Sequence, residues 1–405
     1  SCPPSQSMEN LPEPKVCDVL VVGLGPAGAT AAYELSRAGI SVIALEKDTH
    51  PRYKVCGGGL SARVDHILGS DFHSVVEQTI HGVQFTYQGK EPLVIDADGP
   101  IAYMVMRDRF DHLLVEKARH AGTSIYEHEP VVDCVSMVDG VEVRTERGRY
   151  RAKVIIGADG ANSRVAQCLF TGRRVRRSPA LESEVLTDRV FSYPGERRIV
   201  VDVGATNRGY AWVFPKKDRL SIGIGDFHGR PSSLKQLFHR FILRDQALSA
   251  LDVPPACGHP LPLYDAPYAM STQSLVRGRA LLVGDAAHLV DPLFGEGIYY
   301  AIRSGQLAAA AVLGTFSDRN RSLLDYETAV RQEIYPEFHV ASRLAQIIYT
   351  FPRLCHRLTN RYQEVIHLYY EVFKGRETYQ TFYAKAKGLV KASTKDLLRK
   401  AVTFS

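Results

Sequence analysis

The chain has 405 residues, 45 % of them hydrophobic, with seven cysteines and a formal net charge of +6. That length suffices for two or three domains with sizeable cores, and no apolar run approaches the roughly 18 residues of a membrane-spanning helix. The cysteines (Cys2, Cys17, Cys56, Cys134, Cys168, Cys257 and Cys355) are odd in number and lack metal-ligand spacing, which argues against a disulfide framework or a zinc site and predicts a cytoplasmic protein.

Residues 1–15 are rich in Pro and Ser, have neither the apolar core of a signal peptide nor the arginines of a transit peptide, and read as a disordered leader with Met8 as a candidate start. The apolar run Val19-Leu20-Val21-Val22 then reads as a buried parallel strand. It leads into Gly23-Leu24-Gly25-Pro26-Ala27-Gly28 and a helical pattern of Ala32, Leu35 and Ala38 that ends at Gly39. In such a unit Gly23 permits the tight turn, Gly25 lets a pyrophosphate approach the backbone, and Gly28 allows close helix–strand packing. A second strand, Ser41 to Leu45, ends at Glu46, whose carboxylate suits the hydroxyls of an adenosine ribose. NAD and FAD fit this half equally well.

Further along, Pro51-Arg52-Tyr53-Lys54-Val55-Cys56-Gly57-Gly58-Gly59 forms a glycine-rich loop, and Ile80 to Asp96 alternates as antiparallel strands do. The segment from Met106 to Asp111 opens a helix with Phe110, Leu113, Leu114 and Ala118 on one face. A strand from Lys153 to Ile156 follows and leads into Ala158-Asp159-Gly160-Ala161-Asn162-Ser163. Alternation resumes from Leu181 to Phe227. Within it Tyr210, Trp212 and Phe214 point to one strand face, and Lys216-Lys217-Asp218-Arg219 is the predicted turn. A hairpin symmetric about that turn pairs Trp212 with Gly223 and Tyr210 with Gly225. Each ring then faces a missing side chain, and either an apolar ligand lies in the slot or the rings fill their own gap.

The choice between NAD and FAD rests on Leu281-Leu282-Val283 followed by Gly284-Asp285-Ala286-Ala287-His288 and by Asp291 to Ile298. Asp285 at a strand end suits a polyhydroxyl chain such as ribitol, which a nicotinamide cofactor lacks. Pro292 to Ile298 open a small-residue helix (Ala301, Ala308, Ala309, Ala310) whose N-terminus suits the charge on reduced flavin, while Gly295 and Gly297 allow close approach of a ring. The basic excess is C-terminal: residues 331–405 hold 13 Lys or Arg against 6 Asp or Glu. The same region carries Tyr349, Phe351, Tyr362, Tyr369, Tyr370, Phe373, Tyr379, Phe382 and Tyr383 at helical spacings. Those aromatics are either a peripheral membrane contact or core residues beneath a solvated basic face. Nucleic acid is not an expected partner, because the basic residues are dispersed and no recognition motif appears.

The blocks Gly23 to Glu46, Ala158 to Ser163 and Gly284 to Ile298 resemble the FAD domain of the p-hydroxybenzoate-hydroxylase-like flavoproteins. With the 51–59 loop and Tyr210-Ala211-Trp212-Val213-Phe214-Pro215 followed by Gly223 and Gly225, the combination looks like the geranylgeranyl reductase family. The resemblance spans about residues 17–310. It implies an FAD-dependent reductase that saturates carbon–carbon double bonds of an isoprenoid chain. It also implies FAD contacts from Lys47, Arg52, Cys56, Gly57, Gly59, Arg107, Val131 and Asp159 beside the residues above, substrate contacts from Tyr210, Trp212 and Phe214, and an external reductant, NADPH or ferredoxin, left open. A thiol carries its proton at neutral pH, so Cys56, in the loop that the resemblance places near the flavin, is the candidate acid.

The expected fold is α/β (α+β overall). A Rossmann-like FAD-binding domain is assembled from residues 16–75, 101–170 and 271–320, an antiparallel-sheet substrate domain from 76–100 and 171–270, and a helical region from 321–405. Two rivals share the scaffold: a flavin monooxygenase or halogenase, from whose W-x-W-x-I-P strand this chain departs at Tyr210 and Phe214, and a non-catalytic prenyl-binding protein.

Overall fold

The computed structural model describes residues 13–389 apart from 174–176, 188–192, 194, 196, 228–232 and 266–273. The proline-rich start through residue 12 and the last basic stretch, 390–405, lie outside the described residues.

The strand Lys15–Val22 is central. It pairs in parallel with Arg149–Gly157 on one side and Val42–Leu45 on the other, and its Val19, Leu20, Val21 and Val22 are buried. A strand covered on both faces needs such an unbroken apolar run. Ser124–Tyr126 extends the sheet beyond Val42–Leu45. Ala280–Leu282 and Val276–Arg277 extend it beyond Arg149–Gly157, and the hairpin Val131–Ser136 with Val141–Thr145 pairs on as a branch.

Two helices lie together against this sheet: Pro26–Arg37 and Ile298–Ser317. Their closeness depends on missing side chains, because a Cβ on Gly305 would sit 2.4 Å from the Ala27 carbonyl oxygen. Gly284 meets Ala27 and Ala301 in the same seam. The small-residue pattern of the second helix therefore brings the two N-termini together.

A second, seven-stranded sheet runs in the order Cys257–Leu261, Ser178–Leu186, Arg219–Asp226, Gly209–Pro215, Arg198–Val203, Gly82–Tyr87, Lys90–Asp96. It is antiparallel as expected except at one junction, where Arg198–Val203 runs parallel to Gly82–Tyr87. Gly59–Ser61, Ala102–Val105 and Val76–Ile80 form a small third sheet. The hairpin register is the one the sequence predicts, with Trp212 opposite Gly223 and Tyr210 opposite Gly225. Its turn is narrower than expected. Lys216 is not part of a solvated tip but is buried against Glu184 at 2.6 Å.

The C-terminal region is helical: Leu324–Glu333, Tyr335–Thr350, Pro352–Arg361, Glu364–Phe373 and residues 379–389. Most of its aromatics turn inward. Tyr349, Tyr369, Tyr370, Tyr379 and Phe382 are buried, and Tyr370 donates to the Ile95 carbonyl at 2.7 Å. Aromatics at helical spacing here mean packing against the second sheet and the 291–298 loop, while Phe351 remains exposed. Among the described residues no helix is long and apolar enough to cross a membrane.

Candidate functional site

One cavity of about 490 Å³ connects the two sheets and the C-terminal helices. Its first part is a cradle of backbone. Gly25, Pro26 and Ala27 line it at the start of one helix, and Gly295, Gly297 and Ile298 at the start of the other. Neither helix has a side-chain cap, and Pro26 occupies the first turn of one, where an N–H is dispensable. Two uncapped positive ends thus face the same space.

The glycines of the fingerprint divide by role. A Cβ on Gly28 would lie 1.9 Å from the Gly23 oxygen and 2.9 Å from the Ala158 Cβ, so Gly28 is required for packing. Gly23 adopts φ +91° against Ala158 and Asp159. Gly25 is open, its nearest neighbour being Arg52 Nη2 at 3.9 Å from the added carbon. Glu46 is buried at the end of its strand and accepts from the Leu24 N–H at 2.7 Å and the Asp48 N–H at 3.1 Å. A carboxylate has about four lone-pair sites, so two remain for other donors. An open glycine under a guanidinium, two uncapped helix starts and a half-satisfied carboxylate meet the needs of a dinucleotide.

Not every predicted residue reaches the cavity. Lys54, Cys56, Gly57, Gly59, Arg107 and Asp285 line it together with Tyr210, Trp212 and Phe214. Lys47 is exposed, Val131 pairs with Thr145 in the branch hairpin, and Pro292 is buried in the turn before the helix. The carboxylate of Asp159 is engaged with Ser163, Arg164 and Val165, at 2.5, 2.6 and 3.1 Å, where it holds the start of the helix Arg164–Leu169.

Between cradle and aromatic wall lies a charged cluster. Arg107, the first residue of the helix Arg107–His120, clamps Asp111 through Nε at 2.7 Å and Nη2 at 2.8 Å, and Arg52 reaches the same carboxylate at 3.2 Å. Burial opposes ionisation of Asp111, but the two guanidinium groups override it and hold the carboxyl below its ordinary range. Lys54 stands 3.8 Å from Asp285, and burial together with the nearby Arg107 lowers its pKa. Arg107 and Cys56 line the same stretch of the cavity, and the Cys56 sulfur accepts from the Gly58 N–H at 3.4 Å.

The aromatic strand roofs the 56–59 loop. A Cβ on Gly57 would lie 3.0 Å from the Phe214 ring and 3.3 Å from Trp212 Nε1. The slot expected beneath the rings is filled: Trp212 itself covers Gly223 and Phe227 covers Gly225. The ring planes instead form the cavity wall, and Tyr210 is fixed by donating to the Phe294 carbonyl at 2.6 Å.

Register brings in a residue that sequence reasoning missed. Glu182 pairs with Gly223, which pairs with Trp212, so all three share one sheet face, and Glu182 is buried in the cavity wall. Its carboxyl accepts from Ser221 Oγ at 2.9 Å. Burial pushes it up to about 8, although Lys216 pulls the other way. His259, also in the wall, is lowered to about 4 by burial and by Lys54, so its imidazole is neutral at pH 7.

Two further groups lock the 291–298 loop. Glu296 binds Ser61 and the buried Arg63, whose guanidinium lies 3.9 Å from the Tyr299 ring centre. Asp291 accepts from the Leu293 and Phe294 N–H groups at 2.6 and 2.9 Å and from the Tyr379 hydroxyl at 2.7 Å. The Asp-Pro dipeptide was the only local signal for this lock.

Residues 16–335 match the family model described as an FAD binding domain. The chain is 30 % identical over 357 residues to digeranylgeranylglycerophospholipid reductase 1 of Methanopyrus kandleri, covering 82 % of this chain and 90 % of that one. It is 31 % identical over 317 residues to the geranylgeranyl diphosphate reductase of Rhodobacter capsulatus, covering 73 % and 75 %. Among solved structures, a geranylgeranyl bacteriochlorophyll reductase-like protein of Thermoplasma acidophilum superposes with a TM-score of 0.75 at 22 % identity, over 93 % of this chain and all of the other. With its uncapped double cradle and its aromatic wall on one cavity, the chain belongs to the FAD-binding-domain flavoproteins and, within them, to the geranylgeranyl reductases.

Proposed function

We propose that this chain is an FAD-dependent reductase that saturates carbon–carbon double bonds of an isoprenoid chain. The observation that carries the reading is the continuity of one cavity from the dinucleotide cradle to a long aliphatic and aromatic wall. An isolated alkene has no carbonyl to hold incoming charge, so proton delivery must be coupled to hydride arrival in a dry site. Bound FAD, once reduced, supplies the hydride.

The chain's own residues do the rest. The backbone at Gly25 to Ala27, with Arg52 above it, holds the pyrophosphate, Glu46 the ribose and Asp285 the ribitol. Gly295, Gly297 and Ile298 flank the flavin ring, and Trp212, Tyr210 and Phe214 align the isoprenoid against it while keeping water out. Cys56 Sγ holds the proton, and Arg107 stands beside it to receive the charge left on sulfur. The external reductant is NADPH or ferredoxin; with one dinucleotide fingerprint, taken by FAD, a nicotinamide would bind without a Rossmann unit of its own. A lipid substrate also calls for contact with the membrane surface, and the basic C-terminal region is where we place it.

Dithionite-reduced protein incubated with a panel of geranylgeranyl diphosphate, prenylated quinones and unsaturated ether lipids tests the reading by mass spectrometry. Gains of two hydrogens on at least one member are expected. Gains of oxygen or halogen, scored in a parallel incubation with oxygen and halide after the dithionite is removed, would move the chain to the monooxygenase class, and no change in any member would leave it a binding protein.

A further inference from the structure

The cavity reaches the surface at the helix Pro352–Arg361, where Leu358 is both part of the cavity lining and 46 % exposed. Leu358 is not alone. Ile347, Phe351 and Leu354 are 49 %, 57 % and 55 % exposed, and their spacing of four, three and four residues draws one apolar stripe across the end of Tyr335–Thr350 and the length of the next helix. The opposite side of that helix is anchored, with His356 buried and bonded to the Glu91 carbonyl at 2.8 Å.

The charge on the stretch of chain that holds the stripe has one sign. Arg353, Arg357 and Arg361 are exposed at four-residue spacing, the first two each one position before a leucine of the row and the third one turn beyond it, and Arg343 lies one turn before Ile347. No Asp or Glu occurs from residue 338 to residue 363. Tyr349, Tyr369, Tyr370, Tyr379 and Phe382 turn into the core, so among the C-terminal aromatics it is Phe351, within this stripe, that faces outward.

We propose that Ile347, Phe351, Leu354 and Leu358, with Arg353, Arg357 and Arg361, dock the protein on an anionic lipid bilayer, placing the cavity mouth against the membrane so that a lipid chain passes into it. Apolar side chains enter the acyl boundary, arginines meet the headgroup phosphates, and the mouth at Leu358 lies between them. The inference rests on the reading of the substrate as a membrane isoprenoid, and it adds where on the molecule that lipid enters.

Sedimentation of the full chain with vesicles tests it without turnover. Binding is expected to vesicles of equal parts phosphatidylcholine and phosphatidylglycerol, weaker to phosphatidylcholine alone, and weakened by salt. Each arginine is worth about fivefold in partitioning, so Arg353→Gln, Arg357→Gln and Arg361→Gln together lower it on the order of 100-fold. Leu354→Asp is expected to lower it too. None of these four residues lines the cavity, so turnover of detergent-dispersed substrate stays at the wild-type level, which also reports that the variants fold. Undiminished vesicle binding by both variants overturns the proposal. So does a wild-type dimer that the variants convert to monomer, because the stripe would then be a self-interface. Vesicle binding through this face without reduction of any isoprenoid would sink the functional reading and leave the docking intact.

Discussion

In the proposed reaction Cys56 is the proton donor: it lies in the cavity wall, on a glycine loop roofed by Phe214 and Trp212, and Arg107 lines the same cavity. If it is the acid, Cys56→Ala keeps FAD and loses alkene reduction by about 100-fold or more, the usual worth of a positioned proton donor. Flavin absorbance and single-turnover rates separate the two effects, and full activity in the variant refutes the role. Glu182 is a different case. Its raised pKa means the folded state holds a proton that the unfolded chain has released, so this group's contribution is complete below about pH 4.5 and is lost as pH rises towards about 8. Glu182→Gln should flatten the fall in melting temperature between pH 5 and 8, and parallel curves for the two proteins would contradict the assignment. The strand, glycine turn and helix of the fingerprint, and the strand ends at Glu46 and Asp285, were legible in the sequence because each follows a short apolar strand run. Glu182 was not, since a glutamate in an alternating strand reads as solvent-facing until a neighbouring sheet, packed helices and a filled cavity wall say otherwise.

At the level of elements, the aromatic hairpin shows how far pattern reading goes. Period-two alternation and a polar turn gave the register, because both are local properties. They did not give the occupant of the glycine gap: the Trp212 ring fills it, since an indole offered a vacant pleat covers it sooner than leave a void. Gly223→Val places a carbon about where the ring now lies, the bare Cβ being 2.0 Å from Trp212 Cζ2, and drives the ring into the cavity. The expected results are a shifted emission from this single tryptophan, lower affinity for isoprenoids, unchanged FAD binding, and a loss of about 1–3 kcal/mol in stability from overpacking. Unaltered emission would show that the ring lies elsewhere. The C-terminal helices carry the same lesson, for aromatic spacing alone does not distinguish a core face from a surface one. Tyr349 and Tyr379 are drawn in by hydroxyl bonds to Leu293 and Asp291, partners far away in sequence, and Tyr369 bonds the Tyr379 hydroxyl.

For the whole molecule, the arrangement is a junction of units that each supply what the others lack. The parallel sheet and its two glycine-seamed helices make a cradle of backbone dipoles, the second sheet lays an apolar wall beside it, and the C-terminal helices close the wall and carry the cavity to the surface. The central claim is that flavin and isoprenoid react with each other in this one space. Anaerobic stopped-flow mixing of the reduced FAD-loaded protein with a geranylgeranyl lipid tests it most directly. The account predicts that the flavin band returns without oxygen, one flavin oxidised for each pair of hydrogens gained by the lipid; a flavin that stays reduced beside every isoprenoid until oxygen is admitted would contradict it.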